Sequence, residues 1–344
     1  MTIKNLIFAF SFIFLFSACS DEHDGQNKYS NPIFVVNQGK FNDGSGSLTY
    51  SERGDTTLIQ HAYATNNEDL FLGNVVQSMI KHDGKYYTSI NNGGRIVILG
   101  TKYLNPLNSI LINQPRQFAS NGDQIYVSSW GDTGSNGAVY EINTKDNTLS
   151  EAIISGNGPE GMVIDNNLLY VAKGGGFGVD SVVVIIDTHS NTVVSTLTVG
   201  DNPEQIIKGN DDNIYVICNG YFDWMNPENS TDGKLVTIKD KEITNTLALS
   251  NGANRLAFDR EENTIYFQMN GSIKKIDFDN SPSEIIDVAT ISGYALAFDD
   301  KDGQLYIGDA KDFNSMGSVS VYDREGKEVR TFDCGIIPSA FVFD

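Results

Sequence analysis

The chain has 344 residues, 40% of them apolar, with 33 Gly and only 8 Pro, which is enough to bury a substantial core. Its 24 Lys and Arg against 44 Asp and Glu leave a formal charge of −20, so a nucleic-acid duplex or an anionic lipid surface repels it. Beyond the first eighteen residues no apolar run is long enough to span a bilayer, and the glycine-rich remainder lacks the composition of a disordered chain.

Residues 1–18 carry Lys4, the eleven-residue apolar stretch Leu6 to Phe16 and the small pair Ser17-Ala18, directly ahead of Cys19. This is the layout of a secretory signal. With a cysteine at the cleavage point it resembles a bacterial lipoprotein signal, which implies that Cys19 is lipidated and that the membrane is reached only through that lipid. The acidic Ser20-Asp21-Glu22 that follows resembles the export signal of surface lipoproteins in Bacteroidota and implies an outer-membrane, cell-surface location; the alternative is a plain solvated tether. Residues 19–30 read as tether and 31–344 as the folded domain. Cys218 and Cys334 fall in distant repeats and read as two buried free thiols.

From Ile33 onward one strand motif recurs: IFVVN, KYYTSIN, QIYVSSW, LLYVAKG, NIYVICN, TIYFQMN and QLYIGDA. Its aligned aromatics are Phe34, Tyr86, Tyr126, Tyr170, Tyr215, Tyr266 and Tyr306, spaced 40 to 52 residues apart, the length of a propeller blade. The unit from Glu160 to Pro203 shows four short β-branched runs, EGMVID, LLYVAK, SVVVIID and TVVSTLTV, separated by Asn, Gly, Ser and Asp. These are four antiparallel strands. No unit carries helical periodicity. The expected fold is therefore all-β, a seven-bladed β-propeller of four-stranded antiparallel blades, since a closed ring leaves only short edges. The first unit lacks an innermost strand and the chain ends in PSAFVFD, the pattern of that missing strand. Ser339 to Phe343 should complete the blade begun at Ile33 and shut the ring.

With the strands of each blade lettered A to D from the centre outward, the B–C loops and the D-to-next-A connections share one face, because an antiparallel chain reverses at every strand. The starts of the A strands then ring a central funnel on that top face, at Gln77, Arg116, Glu160, Glu204, Arg255, Tyr294 and Ser339. These mostly large polar groups either meet a ligand or plug the channel with hydrogen-bonded side chains. The B–C loops form a collar whose aromatics are Phe41, Trp130, Phe177, Tyr221, Phe222, Trp224 and Phe313 and whose polar members include Asn91, Asn92, Lys173, Asp309 and Lys311. The fifth blade holds the outlier, the fifteen-residue NGYFDWMNPENSTDG from Asn219 to Gly233. A hairpin loop that long and that aromatic reads as a binding element, or else as a loop packed down on its blade.

Chemistry is harder to place. His23 lies in the tether, His82 and His189 at turns of the opposite face, and His61 at the outer rim. Glu160 and Glu204 form an acid–base pair by type, yet equivalent positions in successive blades explain them more simply, so no enzyme is expected. The acidic turns at Asp259 and Asp299 lack calcium-loop spacing. Gly174 to Gly178 opens no helix and cradles no phosphate, and Arg53-Gly54-Asp55 occupies a tight C–D hairpin. No cofactor or metal is implied.

With blades such as NPEQIIKGNDDNIYVICNG and GPEGMVIDNNLLYVAKGG, the chain from Asn31 resembles the YncE-like, surface-layer-type seven-bladed propellers, a likeness that fixes fold and not ligand. The lipoprotein leader and wide aromatic top face further resemble the BtuG-type proteins of Bacteroidota. That resemblance implies capture of cobalamin, or a related corrinoid, for a TonB-dependent outer-membrane transporter. Cobalamin is large, bears many amides and one phosphate, and suits a broad platform with stacking surfaces. From blade position, Gln77, Arg116, Trp130, Glu160, Phe177, Glu204, Tyr221, Phe222, Trp224, Arg255 and Tyr294 become the candidate ligand contacts, with the two arginines serving phosphate or amide oxygens. The alternative is a propeller that docks a protein partner or glycan on the same face.

Overall fold

Blades packed face to face bury their middle strands on both sides, so those strands are written as continuous apolar runs rather than alternating ones. Leu168–Lys173 (LLYVAK) and Val182–Asp187 (VVVIID) each have four buried central residues. The outermost strand faces water, and Thr192–Thr198 is largely exposed. The computed structural model describes residues 29, 31–54, 58–210, 212–277 and 284–344; the leader, Cys19 and the tether up to residue 28 lie outside them.

Seven antiparallel sheets form the ring. Their innermost strands, in blade order, are Pro338–Phe343, Val76–His82, Pro115–Ser120, Pro159–Asp165, Pro203–Lys208, Asn254–Asp259 and Ala295–Asp299. The C-terminal strand pairs antiparallel with Pro32–Asn37, from Ile33 opposite Phe343 to Asn37 opposite Pro338, so the ring closes as the terminal pattern requires. Packing closes it too. Buried apolar clusters fill every gap between neighbouring blades, and the last gap holds Ile33 and Val35 of blade I against Tyr306, Val319 and Cys334 of blade VII. All seven aligned aromatics are buried.

Two departures from the repeat stand out. The outer strand of blade III is split into Thr148–Leu149 and Ile154–Gly156, both paired to Gly137–Asn143. The connection from blade I to blade II holds a short helix, Ala62–Asn66, that buries Ala62 and Tyr63. Five residues carry too little periodicity to announce a helix, and tertiary packing supplies its stability. Cys218 and Cys334 are free and buried, as expected. Arg53 is tied at 2.7 Å to Asp299 and donates at 3.0 Å to the Asp344 carbonyl, so it serves the bottom-face framework.

Candidate functional site

Each innermost strand enters from the top face, and in six of the seven blades its pairing breaks at the entry. The register skips across Gln77, Arg116-Gln117, Glu160-Gly161, Glu204, Arg255 and Ser339. A bulge of this kind bends the strand and re-aims the extra residue. It turns the ring residue out of the blade and into the funnel. The carbonyls loosened by the bulge are caught by inner-strand serines. Ser78 and Ser89 hydroxyls donate to the Arg116 carbonyl at 2.6 and 2.8 Å, and Ser128 donates to that of Glu160 at 2.8 Å.

All seven ring residues line one cavity of about 220 Å³, together with Gln38, Gln117 and Gln205. They form two networks. Arg116 grips Glu160 through Nε and Nη2, at 2.8 to 3.1 Å, and donates from Nη1 to Gln77 Oε1 at 3.0 Å. Across the funnel, Arg255 Nη1 donates to Glu204 Oε1 at 2.5 Å and Asn219 Nδ2 to Glu204 Oε2 at 2.8 Å. Burial by itself would raise the Glu204 carboxyl, but the Arg255 charge and the Asn219 bond outweigh it and hold the group below its ordinary range. Each arginine is thus paired with a neighbouring glutamate. The two ion pairs balance in charge, and the amides of Gln38, Gln77, Gln117 and Gln205 line the cavity beside them.

Each arginine also lies on an aromatic face that leads outward. Arg116 sits 4.0 Å over the Trp130 ring, and Trp130 meets Phe177 edge-on at 5.6 Å. Arg255 sits 5.0 Å over Tyr294, which meets Phe313 edge-on at 5.4 Å. Two rows of glutamate, arginine, aromatic and exposed phenylalanine thus run from funnel to collar, one at blades III and IV and one at blades V to VII. Phe177 reaches Trp130 because Gly134 leaves room, since a Cβ there would come within 2.6 Å of the Phe177 ring. The Gly174 to Gly178 loop is packed against its neighbours: a side chain at Gly158 would run into Gly176, and one at Gly176 into the Gly134 carbonyl.

The long loop of blade V stands apart. Its root is braced by a Tyr221–Thr231 bridge, by Thr231 Oγ1 on Asp201 at 2.7 Å and by Asn251 on the Thr231 carbonyl at 2.7 Å. At the tip, Asp223 Oδ1 accepts from the Met225 and Asn226 amides, both at 2.9 Å. This fixed turn holds Trp224 and Met225 in solvent, 85% and 89% exposed, with Phe222 edge-on to Trp224 at 4.5 Å. Tyr221, Phe222 and Trp224 do not line the central cavity. Among the described residues every exposed phenylalanine or tryptophan, namely Phe41, Phe71, Phe177, Phe222, Trp224 and Phe313, lies on a top-face loop. No group of three or more His, Cys, Asp or Glu that would hold a metal occurs among the described residues.

Solved structures share this architecture. A quinoprotein alcohol dehydrogenase-like protein from Bacteroides thetaiotaomicron is 19% identical with a TM-score of 0.69, covering 93% of this chain and 79% of that one. The periplasmic gluconolactonase PpgL of Pseudomonas aeruginosa is 12% identical with a TM-score of 0.67, over 91% of this chain and 99% of its own. AztD of Citrobacter koseri is 9% identical with a TM-score of 0.56, over 90% and 97%. At such identities the likeness is one of fold. A comparison with curated proteins finds no match. A family model does match residues 31–344, and the chain belongs to that family, DUF5074, described as a domain of unknown function.

Proposed function

We propose that this propeller is a non-catalytic, lipid-anchored surface protein whose top face binds a corrinoid, cobalamin or a relative, and passes it to a TonB-dependent outer-membrane transporter. The observation that carries the reading is the meeting, on one face, of a polar funnel lined by seven ring residues and the six exposed Phe and Trp side chains found among the described residues. A cavity of about 220 Å³ is smaller than a usual ligand pocket. A corrinoid would therefore lie across the mouth, against Phe177, Phe313 and the Trp224 tip, and send one polar arm into the funnel. The paired state of Glu160 and Glu204 suits anchoring better than proton transfer. The exposed tip at Trp224 and Met225, set apart from the funnel, favours a protein or glycan partner as the second reading.

Calorimetry of the purified protein with cyanocobalamin tests the ligand, with saturable heat expected. No heat and no shift in melting temperature at saturating ligand would retire the corrinoid in favour of the protein or glycan partner. The anchor is tested separately. Cys19→Ala should release the protein into soluble fractions, and protease added to intact cells should remove the wild type. Full protection would overturn surface exposure.

A further inference from the structure

The outer wall of the ring has a hollow of about 400 Å³ where blades I and II meet. Tyr63 of the short helix Ala62–Asn66 lines it, and Phe71, Pro106 and Leu107 give it apolar walls. Phe71 and Leu107 are 73% and 51% exposed, so an apolar body laid over them removes unfavourable surface from water. No residue of this hollow lines the funnel.

Arg95, at the start of the strand Arg95–Gly100, brings the charge. Arg53, Arg116, Arg255, Arg260 and Arg324 each face a carboxylate oxygen at 3.4 Å or closer. Arg95 faces none among the described residues, and no carboxylate lines the hollow. Its guanidinium makes one long bond, from Nη2 to the Leu72 carbonyl at 3.4 Å. In a chain of charge −20, an arginine without a carboxylate departs from the pattern of the rest of the molecule. Tyr63 adds a donor near it. That residue is 6% exposed, and its hydroxyl makes no hydrogen bond among the described residues. Neither the hydroxyl nor the guanidinium is sealed from water. Burial raises the hydroxyl above its ordinary value and the Arg95 charge only partly opposes this, so at neutral pH it keeps its proton and offers it to an acceptor.

We propose that this hollow binds a small amphipathic carboxylate, an aryl or alkyl carboxylic acid. The carboxylate accepts from the Arg95 guanidinium and the Tyr63 hydroxyl, and the apolar body covers Phe71 and Leu107. A neutral apolar molecule leaves both donors unmet. A bare anion gains no burial and is repelled by the net charge of the chain, and a phosphate dianion brings a second charge that one arginine does not balance. The volume lies at the small end of ligand pockets, room for one ring and a short chain. The site goes beyond the corrinoid reading and does not depend on it.

Ligand-observed fluorine NMR of the purified protein with para-fluorohydrocinnamate tests the proposal. Saturable broadening is expected, and the matched neutral amide should bind at least about tenfold more weakly, having lost the charge. Propionate, which lacks the ring, should not displace the fluorinated acid at about tenfold excess. Arg95→Met keeps the bulk of the stem and gives up one long bond, so the melting temperature should hold. Affinity for the acid should fall at least about tenfold while that for the amide stays. Tyr63→Phe keeps the ring packed and should weaken the acid about threefold or more, which gives a second reading independent of the arginine. No saturable binding of the acid, equal binding of acid and amide, or an Arg95→Met protein that binds the acid as the wild type does would overturn the site. Displacement by propionate would overturn its amphipathic character.

Discussion

Arg116 lies 4.0 Å over Trp130 while all three of its guanidinium nitrogens are engaged by Glu160 and Gln77. The stack orients the fork, the fork neutralises a buried carboxylate, and the Arg116 carbonyl is held in turn by two serine hydroxyls. Removing one partner of such a pair strands the other charge, which typically costs about 3 kcal/mol or more. Arg116→Met should therefore lower the denaturation midpoint substantially, and Arg116→Met with Glu160→Gln should recover much of the loss. A double variant no more stable than the single one would show that the two groups are uncoupled.

Closure supplies a second expectation. Deleting Pro338 to Asp344 removes the innermost strand of blade I, and with it the Asp344 carboxylate bonded to Tyr86 at 2.8 Å and paired with Lys81, and the carbonyl held by Arg53. Both the Pro32–Asn37 edge and the gap to blade VII lose their partners. A fall of at least about 10 °C in melting temperature is expected by circular dichroism. A truncated chain that melts with its parent would mean the ring does not depend on this strand.

The thiols give a simple check on the core. Burial pushes both Cys218 and Cys334 up to about 12, so almost no thiolate exists near neutrality and the groups are inert. A chromogenic disulfide reagent at pH 8 should leave both unmodified in the native protein and titrate both once it is unfolded. Rapid reaction of either in the native state would contradict the packing.

How much of this was written in the chain depends on which link is asked about. The blade repeat was legible because both faces of each middle strand are buried, so apolar runs and turns recur with their aromatic marker. The ring positions were legible because each falls at the same place in that repeat. What Arg116 and Arg255 do there was not, since their partners come from neighbouring blades in opposite senses: Glu160 from the blade after Arg116, Glu204 from the blade before Arg255. Nor was the bulge that turns each ring residue inward, which is a property of pairing and not of composition. Loop length announced that Trp224 projects, but not that a turn locked by Asp223 carries it away from the funnel.

The Glu204–Arg255 pair predicts an acid response. Burial raises the Glu204 carboxyl, but Arg255 and Asn219 more than reverse this, so its folded value lies below the unfolded one, near about 4.3. A group depressed on folding stabilises above its unfolded value, and that contribution fades as pH falls through the folded one. Glu204→Gln should thus be destabilised relative to wild type at pH 7, and the gap should narrow as pH is lowered below about 4. Urea midpoints of the two proteins across that range test it, and a gap that stays constant with pH would exclude titration of Glu204 as the cause.

The chain's two tryptophans separate ring from tip. Trp130 lies beneath an arginine and beside Phe177, whereas Trp224 is 85% exposed on a turn that Asp223 holds without it. Trp224→Ala should therefore leave stability within about 0.5 kcal/mol, while Trp130→Ala, which unseats Arg116, should lower it. If both rings stack on a bound corrinoid, each substitution should cost about 2 kcal/mol of binding, roughly thirtyfold in affinity, where a rim contact would cost under about 1. Because only two tryptophans exist, each variant leaves a single fluorescent reporter, and quenching by cyanocobalamin reads the affinity of both directly. A Trp224→Ala protein that folds and binds as the wild type does would confine the ligand to the ring and its two aromatic rows. The preformed tip would then be left to a protein or glycan partner, as a fixed and solvent-held aromatic knob suits.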